Sequence, residues 1–361
     1  MMPWNRLIVF LTILLISFSM STAFAAEIQE LKLEKIYKNE LVDKIANLID
    51  SNYVFPALGN KMAAEIKNKL GNGYYSSIKD PTEFAKALTA DLRSVCDDKH
   101  LWVEYKLEWL LEEIKISQSS GEEKKKLEEA WIEEARKTNF GFKQIDILEG
   151  NIGYLQITDF GNNSYATRIV TAAMNFLANS DAVIIDLRKN GGGYGYTVAF
   201  LASYFFDKSA GSVHLEDIYT RPGNDTESLW TLNVPGESLH EKELYILTSD
   251  RTFSAAESFA YMMKNLKRAV IIGESTKGGA HPTNDYLLMD DFTLTIPVSR
   301  SISPITKTDW EGVGVQPDIK TSQEEALATA HILALETLKK SGKGDLTNYD
   351  ELIKKLKEDH K

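Results

Sequence analysis

Apolar residues between Glu27 and Val95 recur with helical spacing. Leu41, Ile45, Leu48 and Ile49 share one face, Met62, Ile66 and Leu70 a second, and Phe84, Leu88, Leu92 and Val95 a third. Asp80-Pro81, with Glu83 in the first turn, opens the last of these helices. Residues 106–138 hold nine acidic and seven basic side chains, with Trp109, Leu110, Leu127 and Trp131 between them. That mixture predicts a solvated helical pair broken at Ser119-Ser120-Gly121.

After Gly141 the period shortens. Ile145–Ile147 and Ile152–Ile157 read as strands around the turn Glu149-Gly150-Asn151. A helix from about Ser164 to Leu177, the apolar strand Ala182–Ile185, a glycine loop at 191–193 and a helix from Thr197 to Phe205 follow. Leu244–Leu247 is a second buried strand, Ala255 to Leu266 a helix, and Ala269–Ile272 a strand again. Strand alternating with helix predicts an α/β layer on a largely parallel sheet. Residues 292–298 and 313–319 alternate like strands, and 322–340 reads as a closing amphipathic helix. The expected divisions are 26–105 for a helical subdomain, 106–140 for a charged helical connection, 141–340 for the α/β core and 341–361 for a helical tail.

The first residues are of another kind. Arg6 is the only charge before Glu27, and Leu7 to Phe18 is broken only by Thr12 and Ser17. Ala23-Phe24-Ala25 supplies small residues for cleavage, so 1–25 reads as a secretory signal peptide cut after Ala25 or Ala26. Ser17, Ser19, Ser21 and Thr22 interrupt it too often for a membrane span, and no stable membrane anchor is expected after cleavage. Cys96, the single cysteine of 361 residues, excludes an intrachain disulfide framework and any multi-cysteine metal site. A net charge of −11 argues against nucleic acid as a partner. No cofactor or metal is implied, since no His-x-x-x-His spacing occurs.

Chemistry in an open α/β sheet gathers in the loops that follow parallel strands. Asp186–Gly193 ends in three glycines whose amides can face an anion, or can simply turn the chain. Thr252-Phe253-Ser254-Ala255-Ala256-Glu257 places a serine where a helix begins. Ser254 with Glu257 suits a capping box, and it equally suits a nucleophile with the Ala255 amide facing an oxyanion. Gly273–Ala280 follows another strand and can line a substrate. Of the six histidines, His100 stands apart, at the junction between a helix and the strand start Leu101-Trp102-Val103.

Taken together these segments resemble one family. Tyr53-Val54-Phe55-Pro56, Asp98-Lys99-His100-Leu101, Asp186-Leu187-Arg188 with Asn190-Gly191-Gly192-Gly193, Ser254-Ala255-Ala256-Glu257, Gly273-Glu274 with Gly278-Gly279-Ala280, and Gly312-Val313-Gly314-Val315 with Pro317-Asp318 occur in order. That order is similar to the tail-specific (C-terminal processing) peptidases, in the branch of the interphotoreceptor retinoid-binding protein repeats and the tricorn core protease. The resemblance implies a crotonase/ClpP-like core of repeated ββα units with an N-terminal helical subdomain. It implies Ser254 as nucleophile, His100 as base and Glu311 as orienting carboxylate. Ala255 with Gly191 or Gly192 would form the oxyanion hole, and Gly278 and Gly279 would contact a peptide or protein substrate. Bacterial relatives carry a lysine base where this chain has Gly279, so Lys277 could serve only from a shifted loop. The 50 residues between His100 and Asn151 leave no room for the peptide-binding PDZ domain usual in the family.

The expected function is therefore an exported serine hydrolase, most simply a peptidase. The competing readings are a non-catalytic binding module for an apolar molecule, in which Ser254 only caps its helix, and an esterase with the same triad. Activity should rise as the His100 imidazole becomes neutral, near ~6.5. The leader makes its own prediction: exported material should begin at Ala26 or Glu27 by intact mass. A full-length species extracted from membranes would contradict it.

Overall fold

The helical spacing at the start of the chain is realised as three helices: α1 (34–52), α2 (Pro56–Gly71) and α3 (Pro81–Val95). They come from a computed structural model that describes residues 34–289, 291–342 and 348–359. The expected signal peptide lies outside the described residues, as does His360. Proline opens α2 and α3, where its missing amide costs nothing, and the Asp80 carboxylate accepts the Glu83 N–H at 2.9 Å to cap α3. The three apolar faces close on one another around Leu41, Ile45, Ile49, Met62, Ile66, Phe84, Leu88 and Leu92, all essentially inaccessible.

Helices alone do not close this cluster. β1 (Trp102–Tyr105) pairs with the middle strand of an antiparallel sheet formed much later in the chain. Phe292, Leu294 and Ile296 of that middle strand pack into the helical cluster. The alternation at 292–298 thus makes a strand, but Thr293 and Thr295 on its other face are buried as well. The helical layer and the α/β layer are joined through this borrowed strand.

Along the chain, β1 is followed by α4 (Glu108–Gln118) and α5 (Gly121–Lys137), broken where the serines predicted. α5 buries none of its residues and only rests Ile132 and Ala135 on the core. Its ion pairs are exposed and contribute little. The described elements between His100 and Asn151 are β1, α4, α5, a single helical turn and β2 (Phe142–Leu148), so no PDZ fold is present there.

The core sheet has six strands. β2 lies at one edge, antiparallel to β3 (Ile152–Ile157), and β3 runs parallel to β4 (Ala182–Asp186). α6 (Asn163–Leu177) precedes β4 and α7 (Gly195–Ala202) follows it. A side sheet then begins with β5 (His214–Thr220) and β6 (Asp225–Trp230). The main sheet continues with β7 (Glu243–Thr248), then α8 (Ala255–Asn265) and β8 (Val270–Gly273). β9 (Thr283–Leu288) and β10 (Phe292–Pro297) complete the sheet on β1, and β11 (Ser299–Ile302) completes the side sheet. β12 (Ile319–Lys320), α9 (Ala326–Ser341) and α10 (Tyr349–Asp359) end the described chain.

β4 is buried at every position, as a parallel strand covered on both faces must be. Val183, Ile185, Leu244 and Ile246 meet residues of α6, α7 and α8, whereas Ile184, Tyr245 and Leu247 meet α9 and α10. The terminal helix is part of this packing, since Tyr349 and Ile353 of α10 are buried. The alternation at 313–319 yields strand only at Ile319, the first residue of β12. Gly312 and Gly314 both take φ +71°, and the amides of Val313 and Gly314 turn back to the Trp310 carbonyl. Among the described residues no helix is long and apolar enough to cross a membrane. Because β4, β7 and β8 are parallel, the loops that leave them gather at one edge.

Candidate active site

Ser254 occupies the last position before α8 with φ +55° and ψ −121°. A residue with a Cβ pays for such a backbone, so the surrounding bonds must over-determine it. They do. The Phe253 amide donates to the Asn190 carbonyl at 3.0 Å, the Lys277 amide to the Thr252 carbonyl at 3.0 Å, and the Thr252 hydroxyl to the Leu187 carbonyl at 2.9 Å. The Ser254 amide donates to Glu257 Oε2 at 2.9 Å.

Glu257 does more than cap. Its inaccessible carboxylate also accepts the amides of Gly278 at 2.6 Å and Gly279 at 2.9 Å, and the Thr276 hydroxyl. It thereby stitches the loop after β8 onto the first turn of α8, where the helix dipole favours a negative charge. Burial nonetheless pushes its carboxyl above the usual range, and the four donors oppose that shift.

His100 arrives from the helical subdomain. Arg93 fixes the turn by donating to the carbonyls of Lys99 at 2.9 Å and Leu101 at 2.8 Å. The imidazole is 6% exposed and stacks on Phe253, the neighbour of Ser254, with ring centres 4.4 Å apart. A Cβ added at Gly279 would lie 2.7 Å from His100 Cε1 and 2.3 Å from Phe253 Cε2. The position that would carry a lysine base is therefore filled by these two rings. Lys277 itself is exposed, with Nζ 4.6 Å above Phe253. Burial drives the His100 imidazole down to about 4, and its Nδ1 is buried with no partner.

Glu311 lies across the same seam without a bond to His100. Its Oε2 accepts the Ala280 amide at 2.6 Å and stands 3.5 Å from His281 Nδ1, while Oε1 is buried and unpartnered. His281 Nδ1 is 2.6 Å from Asp98 Oδ2, and Asp98 also accepts the Tyr53 hydroxyl at 3.1 Å and the His100 amide at 3.0 Å. Burial, then the Asp98 charge, raises the Glu311 carboxyl to about 7. Asp98, His281 and Glu311 offer ligand atoms within 4.8 Å of one another, and the Asp98–His281 hydrogen bond with Glu311 at ion-pair distance accounts for the cluster.

The glycine loop closes the other side. A Cβ at Gly192 would meet Ser254 Cβ at 2.9 Å and the Ala255 nitrogen at 3.4 Å, so only glycine allows this approach. The Gly192 amide is held by Asn190 Oδ1 at 2.8 Å, and the Gly191 amide makes only a long 3.4 Å contact to the Thr158 carbonyl. The Ala255 amide, first in its helix, has no carbonyl a turn behind it within α8.

The pattern of peptidase family S41 matches residues 151–321, and that of the N-terminal domain of peptidase S41 in eukaryotic IRBP matches 22–140. The chain belongs to peptidase family S41. It is 31% identical over 174 residues to carboxyl-terminal-processing peptidase 2, chloroplastic, of Arabidopsis thaliana, covering 46% of this chain and 31% of that protein. Across the first curated relatives the chain spans between 31% and 39% of their lengths. Its fold is similar to that of a lipoprotein from Streptococcus agalactiae, with a TM-score of 0.54 at 16% identity over 83% of this chain and 97% of the other. The tricorn protease superposes with a TM-score of 0.51 at 16% identity, covering 90% of this chain and 37% of that one.

Within this S41 chain, Gly192 lies against Ser254 and Ala255, and the His100 ring packs on Phe253 and Gly279 without a hydrogen bond to Ser254. Glu311 shares the seam but bonds Ala280 and faces His281. Sequence reasoning missed the side-chain parts of Asp98 and His281. A single histidine after Gly-Gly-Ala has no spacing that marks it; only the fold brings it to Asp98, 183 positions away.

The crowding at Gly279 can be tested against an open glycine. Gly279→Ala should cost about 1–3 kcal/mol by overpacking, read as a lowered urea midpoint. Gly191→Ala, which meets nothing within 4 Å, should stay within about 0.5 kcal/mol of the parent. Equal midpoints would mean that the rings are not packed as described.

Proposed function

We propose that this protein is an exported serine peptidase that cleaves peptides or protein tails through an acyl-enzyme. The observation that carries the reading is the backbone of Ser254. It is held at positive φ between a strand and a helix N-terminus, next to Phe253, on which the buried His100 ring stacks. Family membership and the carboxyl-terminal-processing relatives support the same class of reaction.

In this reading the Ser254 hydroxyl attacks the scissile carbonyl while His100 takes its proton. The oxyanion is met by the Ala255 amide and by a Gly191 or Gly192 amide, of which Gly191 has the weaker existing bond and is more easily recruited. His100 returns the proton to the leaving amine, and water then hydrolyses the ester by the same route. Glu311 supplies negative charge to the imidazolium. The orphaned Nδ1 of His100 and Oε1 of Glu311 are the donor and acceptor that such a pairing would satisfy. With His100 pushed to about 4, the sequence-based acid limb near ~6.5 no longer belongs to the imidazole. Glu311, raised to about 7, is the group that titrates near neutrality, so kcat/KM should climb as it ionises.

A fluorophosphonate probe separates the peptidase from a binding module in which Ser254 only caps. The parent should be labelled, Ser254→Ala should not, and the loss of the cap should cost only about 0.5–2 kcal/mol. His100→Ala should lose nearly all turnover of a peptide substrate, whereas Lys277→Ala should retain most of it. An unlabelled parent would favour the binding module, and an inactive Lys277→Ala would return the base to lysine.

A further inference from the structure

The cluster behind the proposed triad has its own logic. Asp98 and Glu311 are two carboxylates drawn from different layers of the fold into one poorly solvated seam. Like charges in such a place suppress each other's ionisation unless a cation stands between them. His281 stands there: it is 3% exposed, with Nδ1 at 2.6 Å from Asp98 and 3.5 Å from Glu311. The edge of its ring packs on Phe55, with centres 5.5 Å apart. Asp98 in turn holds the His100 amide, so the imidazole of His281 is one bond removed from the backbone of the proposed base.

We propose that His281 is a positioning residue, an imidazolium clamped between Asp98 and Glu311 that holds the His100 turn on the core and keeps Glu311 ionised. This rests on the peptidase reading above for its effect on turnover, but not for the clamp itself. The titratable and charged groups facing the clamp are Tyr53, Arg93, Cys96, Asp97, Asp98 and His100 from the helical side. From the core side they are Lys277 and Asp309. Burial opposes a charge on His281, yet the Asp98 bond and the charges of Asp98, Glu311 and Asp309 raise its pKa above the ordinary value. The same coupling pulls Glu311 downward, against burial and Asp98. Removing the positive charge therefore lets Glu311 hold its proton to higher pH.

His281→Asn keeps an amide that can donate to Asp98 but carries no charge. Its kcat/KM profile on a peptide substrate, taken from pH 5 to 10 beside the parent, should have an acid limb displaced upward by about one unit. The loss would then be roughly fivefold at pH 7 and about tenfold at pH 5, with recovery near pH 9. An unmoved profile, or a loss equal at every pH, would overturn the proposal, because a merely structural histidine lowers activity uniformly. A second measurement needs no histidine variant. The NMR titration of His281 in the Ser254→Ala protein should show the ring holding its proton to a pH above the ordinary histidine value. A ring that titrates at or below that ordinary value overturns the clamp whether or not the parent is a peptidase. Conversely, a parent that fails to label while His281 titrates high removes the peptidase reading and leaves the clamp standing.

Discussion

The Asp98 carboxylate is where the two halves of this molecule meet. It is 1% exposed, and its oxygens accept the Tyr53 hydroxyl, the His100 amide and the His281 ring. Tyr53 and His100 belong to the helical layer, and His281 to the loop that leads into β9. A buried carboxylate without such donors would have to take up a proton; with them, the Asp98 pKa falls below its usual value despite burial. The stability this adds is present above the ordinary carboxylate pKa and is lost as pH falls through the depressed one. The seam is thus held by charge and hydrogen bonds in addition to the apolar strand β10.

Everything proposed for the site depends on that seam. The core alone supplies Ser254, the Ala255 amide and the glycine loop, fixed by Glu257 and by the parallel order of β4, β7 and β8. The base comes from the other layer. Its ring has a defined position because Phe253 stacks on it, Gly279 leaves room for it and Asp98 holds its backbone. In the proposed reaction the strain at Ser254 and the burial of His100 work in the same direction: one sets a hydroxyl at a helix N-terminus, the other favours an imidazole free to receive its proton.

Much of this was legible in the sequence, and what was not has physical reasons. The helical faces of α1 to α3, the break between α4 and α5 and the buried strands β4, β7 and β8 follow from local periodicity, which packing then obeyed. The segment 313–319 deceived because Gly312 and Gly314 turn the chain that its alternation would extend. The joining of β1 to β10 pairs residues almost two hundred positions apart, and no local pattern encodes it. At the site, the Ser254–Glu257 spacing marked the start of a helix, and the roles proposed for Ser254 and His100 came from family resemblance. Asp98 and His281 stayed hidden as a pair, since their meaning lies in a contact between distant loops. The pKa of His100 was misjudged for the same reason, because the reference value assumes the solvent that Phe253 excludes.

The most direct test of a site assembled across the Asp98 seam is the kcat/KM of Asp98→Asn on a peptide substrate at its optimum pH. The variant keeps the size of the side chain and removes its charge, while every core residue around Ser254 stays in place. The seam account predicts a fall of roughly a hundredfold, the scale of a small displacement of a reacting group, in a protein that still unfolds cooperatively. Turnover within twofold of the parent would contradict it, because the base would then hold its place without the carboxylate.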